Sequence, residues 1–271
     1  MAIDLTPLWD FNKPELSEQR FRAALEAAKG DDALILRTQI ARTLGLRKDF
    51  AKAQSELAAV EPQIQTAGFE ARARYALELG RTYASATHSK ELLTEAAKTQ
   101  ARAAFTEALA IARSGKLDAL AIDAIHMFAF VDKAPADQLK WAQEALAVSV
   151  ASDQPAARRW EGSIRNNLGM ALHGLGRFEE ALAEFKQALT IREQGNNAGQ
   201  IRIAHWMVAW TLRAMNQLDD ALAIQLRLEK EGAAANEPDP YVFEELETLY
   251  RAKGNEDRAG HYSTLRKPVA K

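Results

Sequence analysis

The chain has 271 residues, of which 47 % are hydrophobic and 27 % are charged, and its formal net charge is −2. This composition excludes a disordered tail, and the small net charge gives no electrostatic attraction towards nucleic acid or an anionic membrane. The absence of cysteine excludes disulfides, thiolate metal sites and a cysteine nucleophile. We therefore expect neither a nucleic-acid partner nor a membrane partner.

The N-terminal sequence, MAIDLTPLWDFNKPEL, lacks the basic segment and apolar core of a secretory signal. The most apolar stretch, ALAIDAIHMFAFV, is interrupted by Asp123 and is too short to cross a bilayer. A cytoplasmic protein is therefore expected. Few glycines and prolines interrupt a chain rich in alanine, leucine, glutamate and arginine, which favours helix throughout.

The first predicted element is a helix over about residues 15–29. Its apolar face carries Phe21, Ala24, Leu25 and Ala28. We expect residues 1–32 to form an N-terminal segment whose helix caps the elements that follow.

The stretch NNLGMALHGLGRFEEALAEFKQAL, which begins at Asn166, predicts two helices folded back on each other. Leucines recur at helical spacing in its first half, on the same side as Gly169. Gly174 and Gly176 then interrupt the helix and permit a tight turn. Small residues at Gly169 and Ala181 would let the two backbones approach closely, which gives a helical hairpin with one buried seam.

The same design recurs along the chain. The small position of each first helix is occupied by Ala41, Gly80, Ala129, Gly169, Ala209 and, exceptionally, Glu247. The small position of each second helix is occupied by Ala53, Ala101, Ala142, Ala181, Ala221 and Ala259. One insertion, near 85–96, separates the two helices of the second hairpin. Because Glu247 replaces a small residue, the last hairpin is expected to pack loosely.

This pattern resembles the tetratricopeptide repeat, in which leucine–glycine is followed by aromatic, alanine, aromatic and alanine positions. Gly169, Phe178, Ala181, Phe185 and Ala188 occupy those positions in the fourth hairpin. The resemblance covers about residues 33–267, leaves 268–271 as a tail, and is weakest in the third and sixth hairpins. The repeat period exceeds the usual value of about 34 residues, as in kinesin light chains and some bacterial regulatory arrays.

The resemblance implies an all-α fold, a right-handed superhelical α-solenoid of about six helix-turn-helix repeats with an N-terminal capping helix. In that family the first helices line a concave groove. First-helix residues that do not face the seam are therefore the candidates for a peptide-binding groove. They are Arg42, Arg74, Arg81, His126, Phe130, Asn166, Asn167, Met170, His173, Trp206, Trp210 and Arg213.

These candidates predict a basic end, a middle of aromatic, methionine and amide side chains, and an acidic end at Glu244–Glu245. Asn166 and Asn167 could hold a peptide backbone, and Trp206 and Trp210 could anchor an apolar side chain. Packing alternatives remain open at this point. The tryptophans could instead fill the contact between repeats, the asparagines could bridge repeats, and the arginines could be solvated or paired with Glu78.

The expected function is a non-catalytic interaction scaffold that binds a peptide or protein segment. One alternative is a regulatory protein that acts through its convex face or self-association, so a monomer or a weak homodimer is expected. The other is an enzyme with a groove site around His126 and His173. The sequence carries no HExxH pair, GxSxG elbow, P-loop or dinucleotide fingerprint, so no catalytic, metal or cofactor site is predicted.

Overall fold

The computed structural model describes residues 3–195 and 197–266. In this part of the chain the elements are α-helices and two short 3₁₀ helices, and no β-strand occurs. In chain order the α-helices are α1 (Pro14–Leu25), α2 (Gly30–Leu46), α3 (Phe50–Ala58), α4 (Glu61–Ile64), α5 (Phe69–Tyr83), α6 (Glu95–Ser114), α7 (Asp118–Met127), α8 (Pro135–Ala151), α9 (Pro155–Arg158), α10 (Glu161–Gly174), α11 (Phe178–Gln194), α12 (Ala198–Ala214), α13 (Leu218–Ala234), α14 (Pro240–Ala252) and α15 (Glu256–Arg266). The 3₁₀ helices are Thr6–Leu8 and Phe128–Phe130.

The chain divides into two compact units, an N-terminal unit that ends at Trp160 and a C-terminal unit that begins at Glu161. Hairpins one to three, α2–α3, α5–α6 and α7–α8, lie in the N-terminal unit. Hairpins four to six, α10–α11, α12–α13 and α14–α15, lie in the C-terminal unit. The predicted all-α fold of helix-turn-helix repeats is confirmed. The predicted tail, 268–271, lies outside the described residues, as do residues 1, 2 and 267.

The seam within each hairpin is built around a buried small residue. The six alanines assigned to the second helices are all buried, namely Ala53, Ala101, Ala142, Ala181, Ala221 and Ala259. In hairpin four the ring of Phe185 lies directly against Gly169, where an added Cβ would come within 2.7 Å of a ring carbon. Gly80 and Phe105 repeat this contact in hairpin two, at 2.4 Å. Glycine is therefore required for the observed approach of these helices.

The turns of four hairpins share one helix ending. A residue with positive φ follows the first helix at Lys48, Gly176, Asn216 and Gly254. In hairpin four the backbone N–H of Arg177 then donates to the carbonyl of Leu172, which satisfies a carbonyl that the helix end leaves open. The predicted helix interruption at Gly174 and Gly176 corresponds to the last residue of α10 and this left-handed position.

Helix α1 is shorter than the predicted segment 15–29 because it ends at Leu25. The chain then turns, and Gly30 begins α2 with φ of 56°. Phe21 is completely buried in the core shared with α2 and lies edge-on to Trp9, with ring centroids 4.9 Å apart. The helix therefore covers the first hairpin with Phe21 and with the partly buried Ala24 and Leu25.

The insertion of hairpin two packs back against hairpin one. His88 stacks on Phe50 with ring centroids 3.8 Å apart, and its two ring nitrogens contact Ser85 Oγ and the carbonyl of Thr82. Thr87 donates its hydroxyl hydrogen to the carbonyl of Gly45 at 3.1 Å. These contacts hold the segment between α5 and α6 in a fixed position beside α2.

The third and sixth hairpins depart from the regular pattern. Helix α7 ends at Met127, so Ala129 lies in a 3₁₀ turn instead of a first helix. In hairpin six, Glu247 is buried but forms ion pairs with Arg251 and Arg266, at 3.1 and 3.5 Å. Tyr262 is also fully buried. The expectation of loose packing is not met, because arginines at the end of the hairpin neutralise the intruding carboxylate.

A buried ionic cluster joins hairpins one, two and three. Arg81 donates to Glu78 Oε1 and to Asp123 Oδ1, each at 2.5 Å, and all three side chains are almost fully buried. Burial alone would raise the pKa of Asp123, but the neighbouring Arg81 and Arg42 outweigh it and lower that pKa below its ordinary value. The cluster therefore connects α5 to α7 with charged groups where an apolar contact would otherwise stand.

None of the helices in the described ranges combines the length and the apolar character that a bilayer crossing requires.

We expect Gly169→Ala to lower the free energy of unfolding by about 1–2 kcal/mol. The added methyl group must displace the buried Phe185 ring, and overpacking of this kind costs more than the gain of up to about 1 kcal/mol in helix propensity. Urea denaturation followed by circular dichroism measures the change. Gly260→Ala is the matched control, because no atom lies within 4 Å of its added Cβ. A destabilisation by the control as large as that by Gly169→Ala would contradict the seam argument.

We expect Asp123→Asn to lower the free energy of unfolding at pH 7 by about 3 kcal/mol, because Arg81 stays buried after losing a charged partner. The pKa of Asp123 is lower in the folded protein than in the unfolded chain. Its contribution is therefore complete above the ordinary aspartate pKa of about 3.9 and is lost as the pH falls towards the lower folded pKa. In denaturation curves measured from pH 7 to pH 3, the difference in stability between the two proteins should narrow as the pH falls below about 4. A constant difference across this range would show that ionised Asp123 contributes nothing.

Candidate functional site

The predicted groove residues fall into two groups, one in each unit. In the N-terminal unit Arg42 lies on α2, Arg74 and Arg81 lie on α5, His126 lies on α7 and Phe130 lies in the second 3₁₀ helix. In the C-terminal unit Asn166, Asn167, Met170 and His173 lie on α10, and Trp206, Trp210 and Arg213 lie on α12. Part of each group lines a cavity, together with residues that the sequence analysis did not select.

An aromatic stack runs along the C-terminal group. His173 lies flat on Trp210, with ring centroids 3.4 Å apart and an interplanar angle of 13°. Trp210 stacks on Trp206 at 5.8 Å, and Trp206 meets Tyr241 edge-on at 6.4 Å. Both tryptophans are half-buried, so each contributes to packing and still presents part of its ring at the surface.

A cavity of about 570 Å³ lies beside this stack. Its lining residues are Met170, Ile203, Trp206, Met207, Trp210, Asp239 and Tyr241. Three of these are large apolar side chains with high exposed fractions, namely Met170 (45 %), Ile203 (49 %) and Tyr241 (67 %). The cavity is therefore an apolar depression open to solvent, with the carboxylate of Asp239 at its edge.

Four lining residues of this cavity were missed by the sequence analysis. Ile203 lies three residues before Trp206, and Met207 lies three residues before Trp210, so helical spacing places them on the same side of α12 as the tryptophans. Asp239 and Tyr241 belong to the start of α14, where Asp239 accepts a hydrogen bond from the backbone N–H of Tyr241 at 2.9 Å. Asp239 and Tyr241 line the cavity because of the position at which hairpin six begins, which the spacing within α12 does not reveal.

Several polar side chains near this cavity already contact other residues of the protein. Asn166 is only 9 % exposed, and its amide nitrogen lies 3.7 Å from Met170 Sδ. Arg213 is held by both carboxylate oxygens of Glu245, at 2.7 and 2.8 Å. That hydrogen bonding raises the pKa of Arg213 despite burial, so its charge is permanent. The roles predicted for Asn166, half-buried Asn167 and Arg213 in peptide binding stay predictions.

His173 is placed for packing instead of proton transfer. Its ring is stacked on Trp210 and meets Phe178 edge-on at 4.9 Å. Burial and the nearby charge of Arg213 both lower the pKa of this histidine. Its Nε2 atom is buried and has no hydrogen-bond partner within the described ranges.

The arginines predicted to form a basic end are paired with carboxylates. Arg74 contacts Glu70 at 2.9 Å, and Arg81 belongs to the buried cluster with Glu78 and Asp123. Arg42 lies 3.6 Å from Glu78 Oε1 and 3.8 Å from Asp123 Oδ2. A strongly basic surface is therefore not formed by these three residues, and their role as ligand anchors stays a prediction.

A smaller cavity, of about 240 Å³, opens beside Arg42 and Arg81 in the N-terminal unit. His126, Met127, Phe130 and Trp160 line its apolar side. The His126 ring lies 6.0 Å from Phe130 and 5.8 Å from Trp160, and burial lowers the pKa of this histidine although Asp123 opposes the shift. The cavity thus combines charged groups with an apolar wall.

Side-chain groups with three or more histidine, aspartate or glutamate ligands for a metal ion are absent from the ranges 3–195 and 197–266.

Comparison with protein families matches a model described as tetratricopeptide repeat to residues 160–228. These residues comprise hairpin four and most of hairpin five, where the sequence pattern fits that repeat best. A search of curated proteins found no match to the sequence.

Among solved structures, the chain is similar to a signal transduction ATPase with numerous domains that has a tetratricopeptide repeat sensor, from Pyrococcus horikoshii. The sequence identity is 13 %, the TM-score is 0.71, and the match covers 93 % of this chain but only 39 % of that one. The apo form of RapI matches with 12 % identity and a TM-score of 0.70, over 94 % of this chain and 70 % of the other. A Rap protein complexed with Competence and Sporulation Factor matches with 12 % identity and a TM-score of 0.59, over 94 % and 71 % of the two chains.

Identities this low establish a likeness of fold alone. The repeat pattern, the helical hairpins of the described residues and the family match agree with one another. The family match assigns residues 160–228 to the tetratricopeptide repeat, and the similar solved structures show that the described chain shares their fold.

Proposed function

We propose that this protein is a non-catalytic interaction module whose apolar cavity beside Trp206 and Trp210 binds an extended segment of a partner protein. The observation that carries this proposal is the cluster of exposed Met170, Ile203 and Tyr241 around one depression. Contiguous exposed apolar surface is unfavourable in water, and its burial supplies the driving force for association.

The chemistry of the cavity defines the segment that fits it. Trp206 and Trp210 present rigid aromatic surface, and tryptophan is the residue type most often found where binding energy concentrates. A large apolar side chain of the partner would lie against these rings. The carboxylate of Asp239 at the edge of the cavity favours a lysine or arginine next to that side chain.

Fold-level analogy supports a binding role of this kind. One chain of similar fold is a Rap protein complexed with Competence and Sporulation Factor. Its identity of 12 % to this chain transfers no residue-level detail. The choice of site therefore rests on the exposed apolar residues of this chain.

The double variant Ile203→Ala/Tyr241→Ala tests the proposal. Phage-displayed random peptides are selected on the wild-type protein, and the affinities of enriched peptides are measured by fluorescence anisotropy. We expect the enriched peptides to contain a large apolar residue beside a basic one. The double variant should bind them about thirtyfold more weakly, a loss of about 2 kcal/mol for two truncated contacts.

Ile203 and Tyr241 are better test positions than Trp210, because Trp210 also supports the stack with His173. Leu175→Ala is the matched control, since Leu175 is an exposed apolar residue in the same unit that does not line the cavity. Equal affinity of the enriched peptides for wild type and double variant, with both proteins folded, would move the binding site elsewhere. Enrichment of acidic peptides without large apolar residues would contradict the proposed chemistry.

A further inference from the structure

The cavity of the N-terminal unit is lined by elements of all three hairpins. Helices α2, α5 and α7 supply its charged side, the packed insertion supplies Ser85 and Thr87, and Trp160 closes the apolar side. Its volume of about 240 Å³ lies below the range of about 300–1,000 Å³ that is usual for drug-sized ligands. The cavity therefore suits a small molecule better than a chain segment.

Arg42 is the unusual group in this cavity. Its distances of 3.6 and 3.8 Å to the two nearest carboxylate oxygens exceed hydrogen-bonding length. No closer acceptor for it is found elsewhere in the described ranges. The guanidinium is instead placed beside the rings of Trp9 and Phe11, at 5.6 and 5.4 Å from their centroids. Arg42 therefore lines the cavity with a guanidinium group whose ion pairs within the described ranges are longer than hydrogen bonds.

Acceptor groups with unused capacity lie on the other side of the same cluster. Arg81 donates hydrogen bonds to Asp123 Oδ1 and Glu78 Oε1, each at 2.5 Å. Asp123 Oδ2 is left with only the distant Arg42, and Glu78 Oε2 is buried with no donor among the described residues. A ligand that brings both an acceptor and a donor would satisfy groups that the protein does not satisfy itself.

Charge balance narrows the class of ligand. Two guanidinium groups, Arg42 and Arg81, face two carboxylates, Glu78 and Asp123. Burial lowers the pKa of His126, which favours its neutral form. A lone anion or a lone cation would leave one uncompensated charge in a largely buried site, which is costly. A molecule that carries one positive and one negative group keeps the cluster neutral.

The apolar wall specifies the rest of the ligand. Met127, Phe130 and Trp160 line the part of the cavity that has no charged group. We propose that this cavity binds a free α-amino acid with an apolar side chain, with its carboxylate on Arg42, its ammonium group on Asp123 and its side chain against Trp160. This inference uses residues of the N-terminal unit only and is independent of the proposed peptide site.

Isothermal titration calorimetry on the full chain tests the proposal with L-leucine and L-phenylalanine as probes. N-acetyl-L-leucine lacks the positive charge and L-leucinamide lacks the carboxylate, so each removes one of the two polar contacts. We expect at least one free amino acid to bind and both leucine derivatives to bind at least tenfold more weakly than leucine. Absence of binding by both free amino acids, or equal binding of either derivative, would overturn the proposal.

Arg42→Gln locates the site. The substitution removes the two long ion pairs of Arg42 but no hydrogen bond within the described ranges, and we expect it to weaken amino-acid binding by roughly ten- to hundredfold. Arg37→Gln is the control on the same helix, because Arg37 pairs with Glu56 and does not line the cavity. If Arg42→Gln does not fold, Arg42→Lys replaces it, and the comparison of leucine with its derivatives on wild type decides independently.

The double variant Ile203→Ala/Tyr241→Ala should keep full amino-acid binding, since neither residue lines this cavity. Loss of amino-acid binding in that variant would show that the amino acid binds at the peptide site, and would overturn the inference. Unchanged binding by folded Arg42→Gln would have the same consequence.

Discussion

The close approach of two helix backbones inside a hairpin is the constraint on which the rest of the structure depends. At Gly80 and Gly169 the rings of Phe105 and Phe185 occupy the space that a Cβ would take. The large ring on one helix therefore needs the missing side chain on the other. In hairpins two and four this contact fixes the rotation of the first helix about its axis, and with it the direction in which the remaining side chains point.

The same structural position carries different chemistry in the two units. The residue that follows the small residue of the first helix is Arg42, Arg81, Phe130, Met170 or Trp210 in hairpins one to five. In the N-terminal unit the arginines meet carboxylates from neighbouring helices and form a largely buried ionic cluster. In the C-terminal unit Met170 and Trp210 lie beside further apolar side chains and line an open depression. One repeat design thus presents two sites of opposite polarity.

Local spacing predicted the helical hairpins, because they depend on the period of one helix. It could not predict contacts between hairpins. Arg81 and Asp123 lie 42 residues apart, and their pairing depends on how α7 packs on α5. Tyr241 joins the apolar cavity because the first turn of α14 lies next to α12. Ile203 and Met207 were accessible from their helical spacing to Trp206 and Trp210, but the sequence analysis did not select them.

Each cavity contains groups in an unfavourable environment in the folded protein. The kind of group indicates which ligand would stabilise it. Burial and the charge of Arg81 lower the pKa of Arg42, which means that its environment disfavours the guanidinium charge. A carboxylate from a ligand would stabilise that charge directly. The exposed side chains of Ile203 and Tyr241 are instead in unfavourable contact with water. Contact with an apolar surface removes that unfavourable hydration. Because a ligand that binds the folded state alone also stabilises it, each class of ligand should raise the stability of the unit that holds its own site.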